Sequence, residues 1–495
     1  MLAVAGAAAT AQSGDPGAGA VRLARHAVHA VRVHDRRILF HVPTTSLFDL
    51  DPVGAAVLDL LRPDRELPAA EIVRCLGAAF PPAAVMETLQ ELRDLGVLDD
   101  GTGTAPGSRP VTMTGAALTT VVLNVNTGCN LSCAYCYKED LATPDSGRRM
   151  ELDTATRAVE LLLREAAPGR RLNVVFFGGE PLTNIHLIRE VVAYAERRAR
   201  EAGAFIDFSV TTNGTLLTDE IVEFLDAHRF GVTVSMDGPQ ALHDPRRRTI
   251  GEQGTYDVDT AKARRLLARY RSRPVGARVT LTAGVTDVVA THRHLREELG
   301  FFEVGFAPVT SGPVRAFNLS EVELAEVFAG LKELGEAYLA AALRGQNIGF
   351  SNMHQLMTDL ADGTSKVLPC GAGVGLLAVD HAGDLHLCHR FTGSDLPTFG
   401  DVRTGVNAER LAGFVASAAD ASGRPCESCH IRNLCAGGCY HESYARYGDP
   451  LVPVRHYCDL MRDWVDFGVS VYAQIMERNP EFFRRHVEPR RAHAA

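Results

Sequence analysis

Val121-Val-Leu-Asn-Val-Asn-Thr-Gly-Cys129-Asn-Leu-Ser-Cys133-Ala-Tyr135-Cys136 is a β-branched run that breaks at Thr127-Gly128 into a loop carrying three thiols. The apolar part, 121–126, reads as a strand, so the thiolates sit at one strand's carboxyl end. Three ligands leave one iron of a 4Fe-4S cluster without a protein sulfur, and an open iron can bind and activate a small molecule. A zinc site is the competing reading, but zinc takes a fourth Cys or His at short range, and none follows before His186.

Outward from this strand, β-type runs and amphipathic helical patterns alternate as far as Val309. The strands are expected at 121–126, 172–177, 205–212, 231–235, 275–282 and 302–308. Between them lie patterns such as Ile185, Ile188, Val192 and Ala195, which share one helix face. The fold class is therefore α/β, with the βα units in sequential order as a partial (β/α)6 barrel whose ligand sites cluster at the carboxyl ends of the strands.

At 495 residues the chain should hold roughly two to four units. Residues 1–20, rich in Ala and Gly, are expected to be a disordered tail and 21–102 a small module. In that module a hairpin at 28–33 and 37–42 is followed by helices at 51–61, 71–76 and 83–95 and a strand at 97–98, a winged-helix-like plan. Residues 103–118 read as a linker, 119–310 as the barrel, 311–365 as a connecting helical region with a long helix at 321–343, and 366–495 as a cysteine-dense domain with a C-terminal helix. A hairpin is expected at 376–387, turning at Asp380 to Gly383, and the segment from Cys426 onward reads as irregular.

A net charge of -9 without a long basic run argues against nucleic acid or an anionic membrane as the partner. No run of 18 apolar residues is present, so no span is expected. The cysteine spacings fit metal ligation rather than a disulfide scaffold, which points to a reducing, cytoplasmic setting.

The Cys129, Cys133, Cys136 triplet resembles the signature of the radical S-adenosylmethionine (SAM) enzymes. In that family SAM chelates the open iron through its amino and carboxylate groups. One-electron reduction cleaves it to methionine and a 5′-deoxyadenosyl radical, which abstracts a substrate hydrogen. Further segments are similar to the family in order along the chain. Gly178-Gly179-Glu180-Pro181 resembles the motif that holds the SAM ammonium, with glycines for close approach and Glu180 as countercharge. Thr212-Asn213-Gly214 and Ser235-Met236-Asp237-Gly238 end the third and fourth strands, and His243-Asp244-Pro245-Arg246-Arg247 resembles the segment whose arginine meets the SAM carboxylate. Tyr135 matches the aromatic position near the adenine. Singly these are ordinary turns and a solvated basic patch; together they imply that Tyr135, Gly178, Gly179, Glu180, Asn213, Ser235 and Arg247 bind SAM.

A second array, Cys370, Cys388, Cys426-x2-Cys429-x5-Cys435-x3-Cys439 and Cys458, is similar to the SPASM extension of radical SAM enzymes that modify peptides and proteins. By that resemblance Cys426, Cys429, Cys435 and Cys458 would ligate one auxiliary 4Fe-4S cluster, and Cys370, Cys388 and Cys439 would hold the other, for three clusters in all. A pair of zinc ribbons is the alternative, although seven thiolates do not fill two all-cysteine sites. Sulfatase-maturing relatives carry another cysteine where this chain has Thr364. The Cys370 cluster is therefore expected to have an open position for a substrate thiolate, with ligation by a residue such as His389 as the rival. Where those maturases carry a base Asp, this chain has His389-Arg390. Asp237 and His389 are the candidate general bases, each with a structural role as the alternative. Cys75 is left over and is expected in the core.

The 21–102 module is similar to the peptide-recognition element of peptide-modifying enzymes, whose hairpin edge could take up a leader peptide as an added strand. The alternative, a DNA-binding winged helix, is disfavoured by the acidic 91–100 end. Overall the chain resembles thioether-forming maturases. Cys136-Tyr-Lys-Glu-Asp-Leu141 and Gly147-Arg-Arg-Met150 are similar to the maturation proteins of quinohemoprotein amine dehydrogenases, which link Cys sulfur to Asp or Glu carbon in a small subunit. The resemblance implies a small protein or peptide substrate and a flavodoxin- or ferredoxin-type reductant. Another modification of a ribosomal peptide, such as a carbon-carbon crosslink, is the second expectation; a non-catalytic iron-sulfur electron carrier or scaffold is the alternative of a different class.

Overall fold

The computed structural model describes residues 3–4, 20–24, 26–62, 64–99, 118–137, 147–166, 169–312 and 314–488. Most of the expected tail over 1–20 and of the linker over 103–118, and residues 138–141 of the maturase-like stretch, lie outside the described residues.

Near the amino end come β1 (Ala3–Val4), β2 (Ala20–Leu23), β3 (Val28–Val33), β4 (Arg36–His41), β5 (Ser46–Asp49), β6 (Leu67–Pro68) and β7 (Leu98–Asp99). They form an antiparallel sheet in the order β1-β5-β4-β3 and a small sheet β6-β2-β7, joined by helices Pro52–Leu60, Ala69–Leu76 and Pro82–Asp94. Asp51 starts the first helix as expected, its carboxylate accepting from the Gly54 amide at 2.7 Å. The sequence pattern misses β5, because four residues are too few to show alternation.

The β3–β5 sheet is covered on both faces. Leu39 and Phe48 pack onto the three helices, while Val31, Val33, Ile38 and Phe40 join the main core. Side chains alternate across a strand, so a strand with both faces covered is buried along its length, as 38–41 are. Polar contacts reinforce the docking: Asn433 Nδ2 donates to the Val42 carbonyl at 2.8 Å, Arg36 Nη1 to Glu477 at 2.6 Å, and His29 and His430 each lie 3.1 Å from Asp466.

Cys75 corrects one expectation, since it is exposed rather than in the core. Its helix turns Ala69, Ile72, Val73 and Leu76 toward the other helices, and that stripe leaves Cys75 on the outer side.

The barrel comprises β8 (Thr120–Asn126), β9 (Arg171–Gly178), β10 (Phe205–Thr212), β11 (Gly231–Ser235), β12 (Val275–Leu281) and β13 (Glu303–Pro308). These six strands are parallel and neighbour one another in sequential order, so the α/β partial (β/α)6 architecture is as expected. Alternate residues such as Val174, Phe176, Phe208 and Val210 turn outward into the core under the helices. Their neighbours, among them Phe177, Ser235 and Arg278, face the lumen.

β14 (Leu376–Val379) pairs parallel to β8 and β15 (Leu385–His386) returns antiparallel, so the cysteine-rich region extends the barrel sheet itself. The hairpin turns over Asp380, whose Oδ1 accepts from the amides of Ala382, Gly383 and Asp384 at 2.9–3.0 Å. After Cys426 the backbone is less irregular than expected, with helices at Arg432–Cys435, Tyr440–Tyr447 and Cys458–Arg478.

Helix Cys458–Arg478 lies against helix Glu321–Leu343, where glycine makes room. A Cβ on Gly335 would stand 2.3 Å from Phe467 Cε1. Gly335→Leu should destabilise the fold by about 1–3 kcal/mol through overpacking, despite the better helix propensity. A thermal midpoint equal to the parent's would show that the two helices can separate at no cost. No helix among the described residues is long and apolar enough to cross a membrane.

Candidate functional site

The Cys129–Cys136 loop is fixed by backbone before any side chain acts. The Ser132 and Ala134 amides donate to the carbonyls of Arg248 and Arg246 at 2.8 and 2.9 Å, tying the loop to the segment after β11. On the other side β8's end is crossed by Gly178-Gly179. The Gly179 amide donates to the Asn126 carbonyl at 2.7 Å and the Glu180 amide to that of Gly128 at 3.1 Å. A Cβ on Gly178, at φ 148°, would lie 2.3 Å from the Asn126 oxygen, and one on Gly179 2.0 Å from that of Gly128. The close approach for which glycine is needed is thus that of one backbone to another.

Cys129, Cys133 and Cys136 are half-buried and close enough for each to act electrostatically on the others. Burial pushes the Cys129 thiol up to about 12 and Cys133 up to about 11. Such thiols stay protonated without a cation, and a soft thiolate triplet suits iron-sulfur ligation. Asn213 braces the loop, its Nδ2 donating to Asn130 Oδ1 at 2.9 Å and lying 3.8 Å from Cys129 Sγ.

Glu180 is 1% exposed, and both oxygens are engaged. Oε1 accepts from the Leu182 amide at 3.0 Å and the Thr212 hydroxyl at 2.7 Å; Oε2 accepts from the Asn213 amide at 2.7 Å. Burial outweighs these donors and pushes its pKa up to about 7.

Across the loop, Arg247 Nη1 donates to the Tyr135 hydroxyl at 2.9 Å, and that hydroxyl donates to Asp237 Oδ2 at 2.6 Å. Asp237 Oδ1 accepts from the Thr280 amide at 3.0 Å. The carboxylate is fully buried and committed at both oxygens, which suits a positioning group better than a base. Burial works against the Arg247 charge, but Tyr135, Cys133 and Asp237 more than offset it and hold its pKa above the ordinary value. Its Nε is buried without a hydrogen-bond partner, one donor left over in the cavity wall. Ser235 ends β11, in register with Arg278 of β12.

The second array separates into two groups. Cys388 is acted on by Cys439 and Cys370; Cys435 by Cys458, Cys426 and Cys429. The resemblance to the SPASM extension implies ligand sets of the same three and four cysteines. Burial pushes both Cys388 and Cys435 up to about 11. Cys370 and Cys439 are exposed, whereas every member of the four-cysteine group is half-buried.

The loop after Cys388 returns to the barrel. The His389 ring lies 4.3 Å from that of Phe177 on β9, and the Arg390 guanidinium 5.0 Å from the Tyr137 ring, next to Cys136. Sequence reading missed Tyr137, Arg390 and Arg278; the last carries a local signal, an arginine in the middle of an otherwise apolar strand.

Residues 123–296 match the family described as Radical SAM superfamily. The radical SAM cyclopropyl synthase TigE of Paramaledivibacter caminithermalis is 23% identical over 391 residues, covering 76% of this chain and 77% of that one. A cysteine-type anaerobic sulfatase-maturating enzyme of Clostridium novyi is 27% identical over 160 residues, 31% of this chain and 41% of that one, so the chain spans less than half of that relative. Among solved structures, native anSMEcpe with bound AdoMet superposes with a TM-score of 0.61 at 19% identity, over 73% of this chain and 99% of that one. Streptococcus suis SuiB bound to its precursor peptide SuiA gives 0.50 at 15% identity, over 87% and 98%. At such identities the solved structures speak for the fold alone. The similarity to the Radical SAM superfamily thus lies in residues 123–296, the segment that holds the thiolate loop and most of the parallel barrel around it.

Proposed function

We propose that the chain is a peptide maturase that joins a cysteine sulfur to an Asp or Glu carbon in a small protein or peptide, the small subunit of a quinohemoprotein amine dehydrogenase being the target implied by the sequence. The observation that carries this reading is the return of the Cys388 loop to the barrel. His389 against Phe177, and Arg390 over Tyr137 beside Cys136, put the loop of half-buried Cys388 against the barrel near the strand-end triplet, while Cys370 and Cys439 are exposed.

Cys129, Cys133 and Cys136 would hold the SAM-binding 4Fe-4S cluster. When bound with SAM it supplies reductive cleavage and a carbon-centred oxidant. Glu180 offers the buried countercharge for the SAM ammonium, and Arg247, whose Nε has no hydrogen-bond partner, faces its carboxylate. Asp237 and Tyr135 hold Arg247 in place. Cys426, Cys429, Cys435 and Cys458 would ligate one auxiliary cluster, and Cys370, Cys388 and Cys439 the other, whose exposure suits capture of a substrate thiolate. His389 lies where it could take the thiol proton. The β3–β5 sheet, docked on helix Cys458–Arg478, offers the β3 edge to an extended leader.

Coexpression with a small Cys- and acid-rich protein sought in the neighbouring reading frames, followed by mass spectrometry, should show the loss of two hydrogens per crosslink and a cysteine that no longer reacts with iodoacetamide. The similarity to a cyclopropyl synthase supports a second reading, carbon-carbon bond formation. Equal mass loss with the thiol still alkylated would favour it. SAM left intact under dithionite would sink both, in favour of an electron carrier.

A further inference from the structure

The barrel has a second end, where its strands begin, and a cavity of about 260 Å³ opens there. Leu172 and Val174 of β9 and Phe208 and Val210 of β10 turn into the core, so Arg171, Asn173, Asp207 and Ser209 between them face the lumen side and line that cavity. Arg170 stands just before β9, and Arg273 stands just before β12. Arg273 reaches Asp207 past the start of β11, where Gly231, in register with Ser209, presents no side chain. A Cβ on Gly231 would lie 3.2 Å from the Ser209 hydroxyl.

The charges lining this cavity do not cancel. Arg171 grips both oxygens of Asp207, its Nη2 lying 3.2 Å from Oδ1, and Arg273 Nη2 donates to Oδ1 as well. Burial works against the Asp207 charge, but the two arginines hold its pKa below the usual carboxylate value, so one ionised acid answers two guanidiniums. Arg170 adds a third, which is exposed and makes no hydrogen bond or ion pair among the described residues. Asp207 is the only acid among the described residues that line the cavity. Glu165 and Glu201, at the ends of the helices on this face, are held by Arg164 and Arg198. Residues 101–117, which lead into β8, contain no Asp or Glu. Hydrogen-bond donors are in excess too. The Ser209 hydroxyl donates to Asn173 Oδ1 at 3.1 Å, which leaves Asn173 Nδ2 free to donate. Arg171 Nη1 and Arg273 Nε have no partner among the described residues either.

We propose that this cavity is a binding site for a small oxyanion of the phosphate class, seated by Arg170, Arg171 and Arg273 with Asn173 Nδ2 as a neutral donor. Its volume lies below the roughly 300–1,000 Å³ of sites for drug-sized ligands, so a phosphate, a diphosphate or a small phosphate ester fits. Guanidiniums that arrive from β9 and from the turn before β12 approach from different sides. That suits a tetrahedral anion with several oxygens better than a planar carboxylate, which one fork already satisfies. The bound anion ties the starts of β9, β10 and β12 together and offsets the repulsion among three cations, at the end of the barrel opposite the Cys129 loop. The site stands independently of the maturase reading.

The test titrates the cluster-loaded chain calorimetrically, at low salt and with SAM present, with inorganic phosphate, pyrophosphate and glycerol 3-phosphate. At least one of them should bind saturably with a Kd below about 1 mM, and binding should weaken as salt rises. Equal affinity for phosphate and glycerol 3-phosphate identifies the free anion as the ligand, whereas a preference of about tenfold or more for the latter identifies a phosphate ester. Arg170→Gln removes an exposed and unpaired side chain, so it should keep the parent's circular dichroism while weakening binding about threefold or more. Arg273→Gln should weaken it about tenfold or more. Near saturation with pyrophosphate the thermal midpoint of the parent should rise, and that of Arg170→Gln should rise less. Failure of all three anions to saturate overturns the proposal. So does parent affinity in Arg170→Gln, since the anion would then be held elsewhere on the chain.

Discussion

Cys133→Ala is expected to lose about a third of the bound iron and to stop forming 5′-deoxyadenosine from SAM under dithionite. The backbone of the loop is held independently of its thiols, through Ser132, Ala134, Gly179 and Glu180, so the chain should still fold. What disappears is one of three neighbouring sulfurs, and Asn213 and Tyr135 beside them are already committed to Asn130 and Asp237. The fall in SAM cleavage should exceed the roughly 10–100-fold typical of changes outside the ligand shell. Cys388→Ala provides the contrast. It should lose a similar fraction of iron and all crosslinked product, yet continue to cleave SAM, because its group lies on the other side of Tyr137 and Arg390. Parent-like SAM cleavage by Cys133→Ala would remove the basis for assigning the triplet.

These two variants also separate what could be read in the sequence from what could not. The strand-to-loop step at Thr127-Gly128 and the strands at 205–212 and 231–235 follow from local pattern, and the structure places both strands at those residues. The long helix at 321–343 was equally legible, and Ser320 and Glu323 close its start as a capping box. Pairings between distant segments leave no local trace. Nothing in Leu376–Val379 announces that it will lie parallel to Thr120–Asn126, yet that pairing carries the Cys388 loop back to the lumen. The same distance hides the partners of Gly178 and Gly179: glycine signals a close approach, and only the fold shows that Asn126 and Gly128 make it. Burial is hidden too. Glu180 reads as a charge, and its three donors and its raised pKa emerge only when β9 and β10 are side by side.

Glu180→Gln is expected to weaken SAM binding about thirtyfold or more and to abolish its proton linkage. The carboxyl has an ordinary value of 4.5 and is pushed up to about 7 in the fold, by burial, against the opposing effects of Asn213, Leu182, Thr212 and Arg247. A group whose folded pKa is raised contributes stability that is complete below about pH 4.5 and is lost as pH rises through about 7. In the SAM-free chain Glu180 therefore holds its proton through much of that window. Cys129, the other titratable group whose charge reaches it, stays a thiol there, since its own pKa is pushed up to about 12. An ammonium placed against Glu180 favours the carboxylate, so SAM binding should release up to one proton and should tighten as pH rises from about 5 to 7. Calorimetric titrations at pH 6 in buffers of different ionisation enthalpy measure that proton directly. In Glu180→Gln the release vanishes. The missing charge pair costs about 2–5 kcal/mol of affinity, and the amide nitrogen, turned toward a backbone N–H, costs a further ~1–3 kcal/mol of stability. A buffer-independent binding enthalpy in the parent chain would mean that Glu180 is already ionised or that the ammonium lies elsewhere. In either case its three hydrogen bonds would stand as scaffold for the Cys129 loop alone.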